Sequence, residues 1–526
     1  MTKNYDRKLP VGIQSFEVIR KDGYLYVDKT DIIWQLTNRG KKYNYLSRPR
    51  RFGKSLLVDT LQAYFEGRQE LFEGLNIMKL EKAWKHHPVI RLDMSIAGAN
   101  ADAIKGYLAD AFTEYEQTFG IGTVSPQVPL PVRLKNIIKA AYDQTGQEVA
   151  ILIDEYDSPL QHSWNTPHHE ACTEVYRDVF AVLKMQDRFE RFVFITGITK
   201  FTQISLFSVL NNLSNISFDA PYAALCGLTK EEIKQTFQPE IQQLGQANGW
   251  STDEALQHLK EHYDGYHFSR SNMVDVFNPY SLINALADKE LRNYWASSGA
   301  TSLLTKFVDD LDIRIPQLDN CAILASVIEM SDVTGGGPEL FLYQAGYLTI
   351  KGYISGTYLL GIPNHEVRQA LNEIVLPALA MRRSEDIQST QAFLNLYMNT
   401  GNLPKAKKCL KALIADVPYS NKKLKSMDMK ERYRLVISTI FNAVGCQVQV
   451  ERMMATGRID MVVSTSRFIY VIELKLTKNG GLSAAEKQMK ENNYAQPFKA
   501  DKRKVVSLAI ELDDAGKGLI DWKQVE

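Results

Sequence analysis

Short apolar runs alternate with longer stretches of helical spacing over the N-terminal part of the sequence. Strand-like runs fall at residues 43–46, 89–93, 149–153 and 192–196. Apolar residues recur every three or four positions at residues 55–66, 101–119, 132–143 and 170–187. The run Val149–Ile153 is apolar at every position, which is typical of a strand buried on both faces of a parallel sheet. This alternation predicts an α/β sandwich with a mostly parallel sheet.

The pattern changes after Leu228, where Thr229 and the acidic residues behind it predict a helix start. Residues 229–305 favour helix, and residues 306–365 carry short strands. The order helix, helix, strand, strand predicts a small winged-helix-like module.

The rest of the chain is first helical and then mixed. Residues 366–425 favour helix and become basic at Lys422–Lys425, and a new α/β pattern begins at Met429. We therefore predict three domains, which comprise residues 1–228, 229–425 and 426–526.

The composition is that of a globular protein, with 45% hydrophobic and 23% charged residues. The five cysteines show no C-x-x-C spacing, which argues against a zinc site or a disulfide framework and fits a reducing cytoplasm. Residues 1–7 lack the apolar core of a signal peptide, and no apolar run reaches the roughly 18 residues of a membrane span. We expect a cytoplasmic protein without a membrane partner.

The net charge of +1 is unevenly distributed. Residues 401–526 contain 23 lysines and arginines against 14 aspartates and glutamates, a local charge of +9. Residues 1–400 contain 39 against 47, a charge of −8. A basic module on an acidic body suits contact with a polyanion, although a solvated basic face without a ligand gives the same count.

The segment Ser47–Ser55 lies between a predicted strand and a predicted helix, where a phosphate-binding loop belongs. Gly53 would let the backbone approach a phosphate, Lys54 would reach the β- and γ-phosphates, and Ser55 would bind Mg²⁺. The first glycine of the usual loop is replaced by Arg48. Additional positive charge beside the phosphates would come from three residues, Arg48, Arg50 and Arg51.

An acidic pair, Asp154-Glu155, directly follows the apolar run that ends at Ile153, about 100 residues after the phosphate-binding loop. Asp154 would hold Mg²⁺ through water, and Glu155 would polarise the attacking water. Thr196, Thr199 and Lys200 close the next strand, where a polar group could sense the γ-phosphate or simply cap the strand. Gly53-Lys54-Ser55 alone also fits a helix start without a ligand, but the acidic pair favours bound ATP and Mg²⁺.

A second carboxylate pair occurs near the C-terminus. Asp460 precedes a predicted hairpin turn, and Glu473 and Lys475 follow it on one face of the next strand. Two carboxylates and a lysine suit Mg²⁺-assisted cleavage of a phosphodiester, with Lys475 beside the attacking hydroxide. The motif is short, and a solvated hairpin would show the same residues.

Three further residues are weaker candidates for this site. Glu431, on an upstream helix, could complete the metal shell, and Gln488 and Lys490, on a downstream helix, could contact nucleic acid. Each also fits an ordinary solvated helix position.

Taken together, the motifs resemble bacterial AAA-ATPase-like proteins that carry a C-terminal PD-(D/E)XK nuclease-like domain. The matching stretches cover nearly the whole chain and are residues 9–16, 26–30, 48–55, 153–157, 263–266, 278–281, 343–348, 457–460 and 473–475.

The resemblance implies a P-loop NTPase sandwich in which an arginine at position 48 is a family form, and it implies that Asp28 and Lys29 lie near the nucleotide. It also implies an acidic and aromatic cluster on the first nuclease helix. The sequence there, Glu431-Arg432-Tyr433-Arg434, is more basic than that pattern.

The sequence therefore predicts an ATP-binding and ATP-hydrolysing module joined to a Mg²⁺-dependent nuclease for DNA or RNA, with DNA favoured. Defence or mobile-element control follows by analogy, and a homo-oligomer is compatible with the class. One alternative is a nucleotide-gated regulator that binds nucleic acid or a partner protein through an inactive nuclease fold. A second is a small-molecule kinase with a basic tail.

Overall fold

The computed structural model describes residues 7–200, 212–297, 318, 321–330, 337–380, 384–415, 427–454, 457–499 and 501–525. These residues form two compact units: the first contains the described residues up to 297 and those of 321–364, and the second contains Leu318 and the described residues from His365 onward. The predicted basic stretch at 422–425 and the predicted boundary after residue 425 lie outside the described residues. The division into three domains stays a prediction.

The first unit is built on a five-stranded sheet whose four pairings are all parallel. Its strands are β1 (Tyr43–Ser47), β2 (Val89–Asp93), β3 (Val149–Asp154), β4 (Glu190–Gly197) and β5 (Ser214–Asn215). The spatial order is β2-β3-β4-β1-β5. Every residue of β3 is buried, as its apolar run predicts. The prediction of an α/β fold with a mostly parallel sheet is confirmed.

Helices connect these strands and cover the sheet. They are α1 (Phe16–Lys21), α2 (Thr30–Arg39), α3 (Lys54–Phe65), α4 (Ile77–Leu80), α5 (Ala101–Thr118), α6 (Leu130–Thr145), α7 (Ser158–Ser163) and α8 (His169–Met185). Helix α5 begins where the Asn100 side chain accepts a hydrogen bond from the Ala103 amide. Helix α6 ends at Gly146, whose φ of 66° suits a glycine cap.

A helical region and a small antiparallel sheet complete the first unit. The elements are α9 (Lys230–Asn248), α10 (Thr252–Tyr263), α11 (Pro279–Asp288), β6 (Cys321–Leu324), α12 (Ala325–Met330), α13 (Gly337–Ala345), β7 (Thr349–Ile354) and β8 (Thr357–Gly361). Capping boxes at Thr229 and Ser251 start α9 and α10. The helices predicted over residues 229–305 include α9, α10 and α11, and the strands predicted at 348–350 and 358–360 are β7 and β8. Strand β6, which pairs with β8, and helices α12 and α13 were not predicted, and the winged-helix-like module stays a prediction.

The second unit places helices against a mixed five-stranded sheet. Its elements are α14 (His365–Ala380), α15 (Ser384–Thr400), α16 (Leu403–Ala415), α17 (Met429–Ala443), β9 (Gln447–Met454), β10 (Gly457–Ser464), β11 (Phe468–Leu476), α18 (Gly481–Glu491), β12 (Lys504–Leu512) and β13 (Leu519–Val525). Strands β10 and β11 form the predicted antiparallel hairpin, and β11 pairs in parallel with β12. The spatial order is β13-β12-β11-β10-β9.

None of the helices in the described ranges is long and apolar enough to cross a membrane.

Candidate functional sites

The loop of residues 48–55 joins β1 to α3 at the carboxyl end of the parallel sheet. Gly53 is the N-cap of α3 and has a φ of 85°, a left-handed conformation that glycine adopts without strain. Arg51 also has a positive φ, of 68°. Because the first amides of a helix have no partner within the helix, the start of α3 offers free N–H groups to an anion.

Lys54 is the first residue of α3 and is 4% exposed. Its ammonium group lies 3.4 Å from Glu155 Oε1 and donates a hydrogen bond of 3.3 Å to the Pro49 carbonyl. The lysine predicted to bind phosphate therefore makes an ion pair with the glutamate predicted to polarise water. The pair joins the two sequence motifs in one site.

Asp154 ends β3, one strand away from the loop, because β4 separates β1 from β3. The Ser55 side chain lies near the Asp154 carboxylate and favours its ionised form, and Asp154 Oδ1 accepts a hydrogen bond of 2.9 Å from the Glu155 amide. Burial, followed by the charge of Glu155, raises the pKa of Asp154 to about 6. A buried carboxylate beside a serine hydroxyl is a set of hard oxygen ligands that suits Mg²⁺.

Asp93 is a neighbour of this site that sequence reasoning missed. It ends β2 and is paired with Asp154 in the register of the sheet, and its charge adds to the rise in the pKa of Asp154. An aspartate directly after an apolar run was the available signal.

A cavity of about 350 Å³ opens beside Lys54, Ser55 and Glu155, whereas Asp93 and Asp154 do not line it. This volume lies in the range of small-molecule sites. Six of the predicted residues line it, namely Arg50, Arg51, Gly53, Lys54, Ser55 and Glu155. Sequence reasoning missed several others, including Gln14, Ser95, Ser158, Tyr280 and Asn284. Helix α11 supplies Tyr280, over which the Arg51 guanidinium lies at 4.9 Å.

A smaller cavity of about 110 Å³ adjoins the first and shares Pro10, Gly53 and Pro279 with it. Its other walls are mainly apolar or aromatic, with Tyr26, Leu57, Leu228 and Phe237 among them. A cavity that Arg50, Arg51 and Lys54 line at a helix start, beside a mainly apolar cavity, suits a molecule with an anionic part and a hydrophobic part.

Arg48 does not line either cavity. It is 1% exposed and donates to the carbonyls of Ser217 and Tyr222, and its guanidinium lies 4.1 Å from the centre of the Phe268 ring. Burial lowers the pKa of Arg48. The structure therefore gives this arginine a packing role rather than the predicted place beside the phosphates.

Thr196, near the end of β4, and Thr199 and Lys200, just after it, also lie outside the cavity lining. The Thr199 hydroxyl and amide both donate to buried Asp157 at 2.6 Å, and the Thr196 hydroxyl donates to the Leu46 carbonyl at 2.9 Å. The Lys200 ammonium donates to the Glu329 carbonyl at 2.8 Å. In this structure these contacts are structural.

The neighbouring residues Asp28 and Lys29 make different contacts. Asp28 accepts hydrogen bonds from Thr30 and from the Asn76 amide. Lys29 lies 2.6 Å from Glu232 and lines the smaller, apolar cavity.

The β10–β11 hairpin of the second unit brings Asp460 and Glu473 together. They are 4% and 1% exposed, and Asp460 Oδ2 accepts a hydrogen bond of 2.9 Å from the Leu474 amide. Burial, followed by the charge of Asp460, raises the pKa of Glu473 to about 7. Glu473 Oε2 is buried and accepts no hydrogen bond from the described residues. A buried oxygen without a donor fits a cation ligand.

Lys475 lies beside this pair and is held by a chain of hydrogen bonds. Its ammonium is 3.2 Å from Glu473 Oε1 and donates to Gln488 Oε1 at 2.6 Å. The Gln488 amide donates to the Tyr494 hydroxyl, which donates to the Arg458 carbonyl. Gln488 is thus part of the site, where it orients Lys475.

The remaining predicted residues point elsewhere. Glu431 has a side chain 52% exposed and lies 3.8 Å from Arg434, and Lys490 pairs with Glu486 at 3.2 Å. The neighbour of Glu431, Lys430, instead lies 2.7 Å from Asp460 Oδ2. Within the described ranges no group of three or more acidic, histidine or cysteine side chains could hold a metal ion. A cation bound by Asp460 and Glu473 would therefore need water or phosphate oxygens to complete its shell.

The comparisons with known proteins agree with this arrangement. Residues 10–207 match the family described as "Predicted AAA-ATPase", and residues 430–522 match the PD-(D/E)XK nuclease superfamily. The chain belongs to the AAA-ATPase-like proteins with a PD-(D/E)XK nuclease superfamily domain, so the resemblance is confirmed. It is 32% identical over 534 residues to a protein of Azotobacter chroococcum mcd 1, described as "Uncharacterized protein in vnfD 5'region", and the match covers 98% of each chain.

Proposed function

We propose that this protein binds and hydrolyses ATP in its first unit and cleaves nucleic acid, with DNA favoured over RNA, in its second. The observation that carries the proposal is the Lys54–Glu155 ion pair at one cavity, which Ser55 also lines and beside which Asp154 accepts a hydrogen bond from the Glu155 amide. The functional division is that of the three predicted domains, 1–228, 229–425 and 426–526, and we place the protein in the bacterial cytoplasm.

The Lys54–Glu155 ion pair suggests how the binding of ATP would prepare the site for hydrolysis. The amides of the 48–55 loop and the start of α3 would bind the phosphates. Lys54 would exchange Glu155 for phosphate oxygens, which releases Glu155 to orient the attacking water. Ser55 and Asp154 would hold Mg²⁺, which when bound supplies positive charge against the phosphates. The apolar cavity would take the base.

In the second unit Asp460 and Glu473 would hold Mg²⁺, which when bound polarises a phosphodiester and acidifies a water molecule. Lys475, fixed by Gln488, would stand beside the attacking hydroxide. The charge of +9 over residues 401–526 supports a polyanionic substrate.

Cleavage of labelled single- and double-stranded DNA and of RNA with Mg²⁺ tests this second activity. Wild type should cut at least one of them, and Glu473→Gln should lower the rate by about 100-fold or more, because a metal ligand is lost. Glu491→Gln is the matched control, since the Glu491 side chain is 63% exposed and lies 3.8 Å from Lys487 on the surface of α18. Equal rates for wild type and Glu473→Gln would contradict the assignment.

The alternative function is a nucleotide-gated regulator with an inactive nuclease fold. One observation favours it: the Lys430 and Lys475 ammonium groups lie close to the carboxylates of Asp460 and Glu473. Their positive charge lowers the affinity of the two carboxylates for a metal cation. Binding of DNA without cleavage under any Mg²⁺ or Mn²⁺ concentration would support this alternative.

A further inference from the structure

The nuclease-like site contains a second cation, Lys430, that sequence reasoning missed. Its ammonium group lies 2.7 Å from Asp460 Oδ2 and 3.9 Å from Glu473 Oε1. Lys475 lies 3.2 Å from the same glutamate oxygen. The two carboxylates thus face two ammonium groups, and the four side chains carry no net charge when all are ionised.

The backbone position of Lys430 is a poor one for a lysine. The residue lies in the first turn of α17, where its amide donates to the capping side chain of Asp428 at 3.1 Å. The positive end of the helix dipole disfavours a cation in this turn. Because the Lys430 side chain is only 26% exposed, the buried carboxylates rather than water are its main electrostatic partners.

The ammonium group and a divalent cation require the same oxygens. Asp460 Oδ2, which also accepts the Leu474 amide, is the closest oxygen to Lys430. Glu473 Oε2 is a buried oxygen that has no donor among the residues that the structure describes. A cation that bridges the two residues would come within a few ångströms of the Lys430 ammonium, where like charges repel strongly.

We propose that Lys430 controls the divalent-cation occupancy of this site. Together with Lys475, its ammonium neutralises Asp460 and Glu473 while the cation is absent, and the Lys430 ammonium has to move away before the cation can bind. The inference rests on the proposed metal-dependent function of the second unit. It identifies Lys430 as a residue that sets the metal affinity.

Mn²⁺ binding to the full chain without nucleotide tests the inference, with free Mn²⁺ followed by electron paramagnetic resonance. The site is defined as the binding that Glu473→Gln abolishes. Lys430→Gln should bind Mn²⁺ there about tenfold more tightly than wild type, because a nearby like charge is removed. Lys430→Glu, which adds a third carboxylate in a helix turn that favours acids, should bind more tightly still.

Lys487→Gln is the matched control, because the Lys487 side chain on α18 is 74% exposed and lies 3.8 Å from Glu491. It should bind Mn²⁺ as wild type does. Glu473-dependent binding that is equal or weaker in both Lys430 variants would overturn the inference alone. If no protein of the set shows Glu473-dependent binding, the proposed metal-dependent function fails, and the inference fails with it.

Discussion

At the scale of single residues, the candidate nucleotide site contains ionisable side chains that are buried from solvent. Asp154 is 1% exposed and Lys54 is 4% exposed. The pKa of Asp154 rises to about 6, first because of burial and then because of Glu155. Buried charged groups of this kind lower the stability of the ligand-free protein, and a ligand of opposite charge offsets that cost when it binds.

This cost predicts a pH-dependent effect of Asp154→Asn in the ligand-free protein. Between pH 3.8 and about 6 the folded protein keeps a proton that the unfolded chain has lost, so stability falls as pH rises. Above pH 6 the ionised carboxylate costs about 3 kcal/mol, at 1.36 kcal/mol per pKa unit. Asparagine avoids the cost, so the variant should melt about 2–4 °C above wild type at pH 8. The gap should close towards pH 4, and a gap that is constant with pH would contradict the assignment.

Residue placement also shows what the sequence could not tell. A helix near Glu431 was predicted, but adjacent helical residues point about 100° apart, so the rotation of α17 decides that Lys430 and not Glu431 meets the carboxylates. Arg48 was recognised as part of the loop, yet its direction depends on the carbonyls of Ser217 and Tyr222, which are distant in sequence.

At the scale of elements, aromatic residues from the helical region pack against the 48–55 loop. The Phe52 ring meets Tyr266 edge-on at 4.8 Å, and the Trp295 indole donates to the Arg50 carbonyl at 3.3 Å. A Cβ atom on Gly346 would lie 2.6 Å from the Pro49 side chain. The loop conformation therefore depends on segments that begin more than 200 residues later in the chain.

Gly346→Ala should consequently weaken MgATP binding. The residue has a φ of 91°, and its new methyl group would press on Pro49 and displace the loop. We expect about tenfold lower affinity, measured by calorimetry at a temperature where the variant is folded.

Gly356→Ala is the control for this variant. Gly356 has a φ of 84°, so alanine suffers similar backbone strain there, but no atom of the described residues lies within 4 Å of its Cβ position. It should bind MgATP as wild type does. Equal affinities in both variants would show that the contact with Pro49 does not shape the site.

The elements themselves were largely predictable. The runs at 43–46, 89–93, 149–153 and 192–196 became β1 to β4, because buried parallel strands need continuous apolar residues. Strand β5 is only Ser214–Asn215, which carries no apolar pattern, and β6 was missed beside β8. Strand order depends on long-range packing, which a local pattern does not encode.

At the scale of the whole molecule, each compact unit contains one candidate site, and the positive charge is concentrated in the last 126 residues, which lie within the second unit. Residues 1–400 carry −8 and residues 401–526 carry +9. A polyanion should therefore favour the second unit, while the first has the cavity for a nucleotide. The proposed function requires that events at the two sites influence one another.

This requirement predicts that DNA stimulates ATP hydrolysis severalfold at low salt. The stimulation should disappear as salt is raised, because contacts with phosphates release counterions. Phosphate release with and without single- and double-stranded DNA measures it, with heparin as a control for polyanions in general. Glu155→Gln should bind ATP but hydrolyse it about 100-fold more slowly. If no nucleic acid changed the rate of ATP hydrolysis, the predicted coupling between the two sites would be contradicted.

The central claim is that the start of α3 and the Lys54 ammonium bind a polyphosphate, and titration calorimetry with MgATP tests it directly. Wild type should bind one MgATP per chain. Lys54→Met, which keeps the buried stem but removes the charge, should bind about 100-fold more weakly, as expected for a lost charge-assisted hydrogen bond. Lys79→Ala, at an exposed position of α4, should match wild type. No binding by wild type, or equal binding by Lys54→Met, would contradict the account.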